Sequence, residues 1–152
     1  MIELHPVDSK GADLVEAVRA MSRLSRIVER ASDELSFADY RVMSAIAEGE
    51  ARASRLASRL LLGKPTISST IDSLSRRGYI VKSTVEGDNR AVELTLSAEG
   101  AELFERMEAR MVRQLELLAE RTPDPATVVR SLVELGVVIE ESMAAHAREV
   151  IV

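Results

Sequence analysis

The chain has 152 residues and a net charge of −5, with 46% apolar and 30% charged side chains, enough for one domain with a real core or a small module with helical extensions. It has no cysteine, which excludes disulfides, thiolate metal sites and thiol redox sensing. No apolar run approaches the roughly 18 residues that span a bilayer, and the start lacks a basic-then-apolar leader, so a soluble cytoplasmic protein is expected.

Residues 1–10 read as a loose arm, broken by His5-Pro6. From Gly11 onward, Leu14, Val18, Met21, Leu24, Val28, Ala31 and Leu35 step by three and four, which predicts a long amphipathic helix over roughly Ala12 to Asp33. Ser36 and Asp39 have the form of a capping box. They precede a helix carrying Phe37, Tyr40, Val42, Met43 and Ile46 that stops near Gly49. Arg52 to Leu61 forms a short helix with Leu56, Leu60 and Leu61 inward and Arg52, Arg55 and Arg59 between them. Gly63-Lys64 breaks that run. The next helix starts at Pro65 and ends at Gly78, with Ile67, Ile71 and Leu74 at helical spacing.

Tyr79 to Val85 is β-rich, Glu86-Gly87-Asp88-Asn89 is turn chemistry, and Val92, Leu94 and Leu96 alternate with polar or small residues as a half-buried strand does. Ser97 is placed to cap a helix from Ala98 to about Arg121, with Phe104, Met107, Met111, Leu115 and Leu118 on one stripe. Thr122-Pro123-Asp124-Pro125 ends it. A last helix runs from about Ala126 to Ala147 with Val128, Leu132, Leu135, Ile139 and Met143 in step. The expected fold is mostly α. An N-terminal arm and dimerisation helix (1–35) precede a winged helix–turn–helix with a two-stranded hairpin wing (36–96), and C-terminal dimerisation helices follow (97–152). The flanking stripes are longer than the centre could cover, and a second copy around a two-fold axis is the simplest partner.

The helix from Pro65 presents Thr66, Ser68, Ser69, Thr70 and Ser73, then Arg76 and Arg77, on its predicted outer face. Ser and Thr weaken helices, so five of them in eight residues sacrifice local stability. Short hydroxyl side chains that can approach phosphates and base edges explain that sacrifice. Between Arg52 and Arg90 stand eight basic residues and three acids, a segment of +5 on a remainder of −10. A basic patch on an acidic body is an electrostatic footprint for nucleic acid. Arg52, Arg55, Arg59, Lys64, Arg76, Arg77 and Lys82 are the candidates for phosphate contacts, with Lys64 and Arg77 foremost. Pro65 suits a first helical turn, whose free N–H groups can point at a phosphate; a plain helix start fits it equally well. Arg90 beside a glycine-containing turn suits a narrow minor groove, or is a solvated hairpin charge. Asp88 can orient its guanidinium, or simply favour the turn.

On these residues the chain resembles the MarR family of bacterial transcription regulators. The block is Arg55-Leu56-Ala57-Ser58-Arg59-Leu60, Lys64-Pro65-Thr66-Ile67-Ser68 and Ile71-Asp72-Ser73-Leu74-Ser75-Arg76-Arg77-Gly78. Asp88-Asn89-Arg90 is similar to the family's Asp-x-Arg wing signature, and Leu96-Ser97-Ala98-Glu99-Gly100 to its strand-to-helix junction, with Ser97 in place of the usual Thr. The resemblance implies a homodimeric regulator that binds a pseudo-palindromic DNA operator, typically as a ligand-responsive repressor. Its recognition helix is Pro65–Arg77, with Thr66, Ser68, Ser69 and Ser73 at the major groove and Arg90 reaching towards the minor groove. Two departures are that family members often carry Arg or other long polar residues at the positions of Ser69 and Ser73, and a basic residue at that of Asn89.

The family often binds a small effector between the dimerisation helices and the winged domain. Met21, Tyr40, Met43, Phe104, Met107 and Met111 are the residues here that could line such a pocket, although Met at helical spacing is more often core. An enzyme is not expected, nor any cofactor or metal. Gly63-Lys64-Pro65-Thr66 resembles the end of a phosphate loop, but the earlier glycine falls at Ser58. His5 and His146 are the only histidines, and His146 with Glu141 or Glu149 is a poor metal set. The rival reading is a winged-helix module that works through proteins without binding DNA.

Overall fold

The computed structural model describes residues 9–31, 33–49, 52–60, 62–85 and 88–149, of which 9, 54, 85, 88–91 and 144–149 are described as backbone alone. The arm before Ser9, Leu61 and the Glu86-Gly87 part of the turn lie outside the described residues, as do the side chains of Asp88, Arg90, His146 and Glu149. The elements run α1 (Ser9–Glu29), α2 (Phe37–Ala47), α3 (Ala53–Leu60), α4 (Lys64–Arg76), β1 (Ile80–Val85), β2 (Asp88–Leu96), α5 (Ala98–Ala119) and α6 (Pro125–Glu149).

α1 ends earlier than its periodicity predicts. Arg30 and Ala31 form a turn, with the Ala31 N–H donating to the Val28 carbonyl at 3.1 Å. Leu35 keeps the apolar step but is buried from the bend before α2, not from a helix. The capping box forms as expected: Asp39 N–H donates to Ser36 Oγ at 3.1 Å, and Ser36 N–H donates to Asp39 Oδ2 at 3.0 Å. Gly49, at φ +99°, lies just beyond the α2 C-terminus in a conformation other residues adopt at a cost. Arg52, ahead of α3, bridges Glu93 of β2.

β1 and β2 pair antiparallel, Ile80 opposite Leu96 through Thr84 opposite Val92, and then the register breaks so that Val85 faces Asp88. Asp88 and Asn89, expected in the turn, therefore open a strand. The bulge explains the difference: it carries the chain past the turn residues while the backbone stays in the ladder. α5 starts at Ser97, whose Oγ accepts the Gly100 N–H at 3.0 Å. α6 starts at Asp124, which accepts the Thr127 N–H at 3.1 Å and its hydroxyl at 2.7 Å. Those bonds hold the Asp124 carboxyl below its usual range.

The core is built by α2, α3, α4, the inward face of the hairpin and the first half of α5. Val42, Met43, Leu56, Leu74, Leu94, Leu103 and Met107 are fully buried. α1 and α6 contribute little to it. They leave Leu14, Val15, Val18 and Met21 of α1 and Val129, Val133, Leu135, Val137, Val138 and Ile139 of α6 exposed. No described helix is long and apolar enough to cross a membrane.

Candidate nucleic-acid interface

α4 buries Ile67, Thr70, Ile71 and Leu74 against the core. At 3.6 residues per turn, Pro65, Ser69, Asp72 and Arg76 fall on the opposite side, flanked by Thr66, Ser68 and Ser73. Lys64, Pro65, Thr66, Ser68, Ser69, Asp72 and Arg76 are exposed, and Ser73 is half-buried. Thr70 corrects the sequence reading. It sits three residues after Ile67 and four before Leu74, so it turns inward with them.

The N-terminus of α4 is open. Gly63 caps it without a side chain, and Pro65 stands in its first turn, one residue later than expected because Lys64 is already helical. A helix start with no side-chain cap presents backbone N–H groups and the positive end of the helix dipole to an anion. The other end is closed by Gly78 at φ +81°, with Gly78 N–H donating to Ser75 and Tyr79 N–H to Leu74, both at 3.0 Å.

The cations divide by what they hold. Arg59 donates to the Ala45 carbonyl at 3.5 Å and pairs with Glu48, tying α3 to the end of α2. Arg77 donates to the Glu34 carbonyl, reaches Asp39 Oδ2 at 3.5 Å, and lies over the Tyr79 ring at 4.9 Å. It anchors the end of α4 to the bend before α2, where Arg110 of α5 also meets Glu34 at 3.3 Å. That fixes the angle of α4; Lys64 and Arg55 are exposed as well. Lys82 Nζ, on β1, meets Asp72 Oδ1 at 2.5 Å, and this bond holds the Asp72 carboxyl below its usual range. The sequence analysis did not single out Asp72; its helical position opposite Ile67, Ile71 and Leu74 is the signal that places it at the centre of the presented face. Asp88 and Arg90 lie on the backbone of β2 at the hairpin end.

Five of the six ligand candidates share one region of the core, and Met21 stands apart from them. Met43, Phe104, Met107 and Met111 are buried in the shared core, Tyr40 packs at its edge, and Met21 is exposed on α1. An aromatic stack forms the edge of this region. Tyr40 lies between Phe37 and Phe104, at ring distances of 5.9 and 5.5 Å, and donates its hydroxyl to Glu108 at 3.2 Å. Burial, then Glu108 beside it, pushes the Tyr40 phenol up to about 12. Because the folded value lies above the unfolded one of 10.0, this site stabilises the fold fully below pH ~10 and loses that contribution as pH rises towards ~12. Denaturant midpoints measured across that window should fall less in Tyr40→Phe than in the parent; equal falls would place the alkaline sensitivity elsewhere.

Comparison with known proteins agrees with this geometry. A family model described as MarR family matches residues 33–91, from the bend before α2 into β2. This unit, well under half of the chain, is similar to the MarR family of transcription regulators. The HTH-type transcriptional regulator PecS of Dickeya dadantii is 25% identical over 126 residues, covering 76% of each chain. A MarR-family regulator from Rhodococcus sp. RHA1 superposes with a TM-score of 0.74 at 20% identity, covering 90% of this chain and 96% of the other. PcaV of Streptomyces coelicolor, solved in complex with its natural ligand, superposes at 0.62 with 23% identity, covering 90% and 97%. The MarR likeness thus extends in fold to the helices on both sides of the matched unit.

Proposed function

We propose that this chain is a MarR-type regulator that binds duplex DNA as a symmetric homodimer, with α4 in the major groove and the β1–β2 hairpin beside the minor groove, and acts as a ligand-responsive repressor at a pseudo-palindromic operator. The observation that carries DNA binding is the outer face of α4: exposed hydroxyls at Thr66, Ser68 and Ser69 behind an uncapped helix start with Lys64 beside it. Such a face costs helix stability and is useful only where side chains and backbone must come close to an anionic, hydrogen-bonding surface. Lys64, Pro65, Thr66, Ser68, Ser69 and Ser73 make the helix contacts. Asp88 and Arg90 carry the wing contact, as the Asp-x-Arg likeness implies. Arg77 acts by setting the angle of the helix.

The exposed apolar faces of α1 and α6 support the dimer. Two heads held about one helical turn apart, ~34 Å, then read two half-sites. An effector represses or releases by its differential affinity for the matched and mismatched head spacings.

The test is binding to the duplex upstream of the protein's own gene, followed through a salt titration. Affinity should fall steeply with salt, by about 0.9 log units per log unit of salt for each phosphate neutralised. Arg90→Ala should weaken binding most at sites with a narrow flanking minor groove. Lack of retention on duplex DNA at low salt would overturn the reading in favour of a protein-binding module.

A further inference from the structure

Asp72 is the anomalous residue of the α4 face. A helix that lies against a polyanion gains nothing from a carboxylate at its centre unless the carboxylate meets a donor. Its side chain is 62% exposed, and it lies in line with Ser69 and Arg76. With Ser75 and Lys82 these residues line a depression between α4 and β1. Oδ1 takes Lys82 Nζ at 2.5 Å, while the Arg76 Nε–H turns to the Asp72 backbone carbonyl at 3.4 Å. Oδ2 takes no hydrogen bond among the described residues.

The neighbours of Asp72 cannot choose among bases in the way it can. Thr66, Ser68, Ser69 and Ser73 carry hydroxyls, which both donate and accept and so tolerate any base edge. Arg76 only donates. An ionised carboxylate only accepts, so the edges it suits are those offering an N–H: the N4 amine of cytosine and the N6 amine of adenine. The N7 and O6 of guanine and the O4 of thymine are acceptors and meet it unfavourably. Lys82 neutralises the charge from the β1 side without occupying the second oxygen.

We propose that Asp72, clamped through one oxygen by Lys82, is a specificity-determining residue whose second oxygen accepts a hydrogen bond from the exocyclic amine of a cytosine or adenine in the major groove. This rests on the DNA-binding reading above. It fixes the polarity of one base pair in each half-site: the amine must stand on the strand that Asp72 faces.

The experiment selects duplexes from a randomised pool with the full chain, then measures single-base-pair variants of the selected site with the parent, D72A, D72N and K82A. The parent should penalise guanine or thymine at one position per half-site by about 5- to 100-fold. D72A should flatten that position alone. D72N, which adds donors, should admit acceptor bases there. Removing the acid also frees Lys82 for a phosphate, so the salt dependence of D72A should steepen by about 0.9 log units. K82A should lose affinity and keep the preference. Asp72 is exposed, so the variants should melt with the parent; if D72A melts early, the isosteric D72N decides. A D72N protein with the parent's preference at every position overturns the proposal while leaving DNA binding intact. A parent that selects no duplex overturns DNA binding itself.

Discussion

Gly100→Ala is expected to destabilise the protein by about 2 kcal/mol or more, lowering its melting temperature by roughly 4–8 °C. The sign is not that of helix propensity, which favours alanine over glycine inside a helix by about 1 kcal/mol. It follows from packing. A Cβ at Gly100 would stand 2.1 Å from the Tyr79 carbonyl oxygen and 2.8 Å from its carbonyl carbon. Both are backbone atoms, so no rotamer change relieves the overlap. The backbone is also held: Tyr79 O accepts the Ser97 N–H at 3.0 Å, and Ser97 Oγ donates to Gly78 O at 2.6 Å while accepting from Gly100. This knot joins the end of α4, the start of β1 and the start of α5, and it sets where the hairpin leaves α4. Thermal and urea denaturation of the variant measure the effect. A midpoint unchanged or raised would mean that the junction relaxes freely and that the close approach is not a constraint.

The fold was legible wherever a local signal had a local cause. The Ser36–Asp39 box, the Ser97 cap, the Gly78 stop and the steps of Ile67, Ile71 and Leu74 are readable because the groups that satisfy one another lie within four residues. What depends on distant neighbours was not readable. The apolar step runs through Ala31 to Leu35, yet the helix stops at Glu29, since Leu35 reaches the core equally well from a bend. Thr70 is a different case: it was grouped with the outer hydroxyls by residue type, although its local spacing from Ile67 and Leu74 placed it inward. At the site, the hydroxyl face was visible in the sequence, and the division of labour among its charges was not. Arg77 and Asp39 are 38 positions apart, and Lys82 and Asp72 are on different elements. Only the folded chain shows which cations anchor a helix. The methionines followed the commoner use of that residue: Met43, Met107 and Met111 fill the core.

Placing charges on α1 should break the proposed dimer and reduce affinity for a full operator by about 10²- to 10⁴-fold, the advantage of tethering two heads. Leu14→Asp with Val18→Asp is the informative variant. These residues are one turn apart and 63% and 66% exposed in the single chain. Neither supports the protomer's own core, so their loss is not a cavity mutation. In a dimer seam each side chain would contribute about 1.5–3 kcal/mol on burial. Several such residues from α1 and α6 are needed to exceed the association cost of at least about 4 kcal/mol per complex. Two carboxylates in that seam reverse the contribution, because an unpaired charge is costly to desolvate. The consequence for DNA is geometric. A single head keeps the α4 contacts and its affinity for an isolated half-site, but it loses the second head held at a fixed distance. Sedimentation equilibrium combined with binding to half-site and full-site duplexes separates the two effects. The expected result is a monomer with near-parental half-site affinity and no full-site advantage; where the protomer cannot stand alone, the variant unfolds instead. A variant that remains a dimer and retains full-site affinity would show that the α1 face serves another partner, and the pairing of the two heads would then rest on α6 alone.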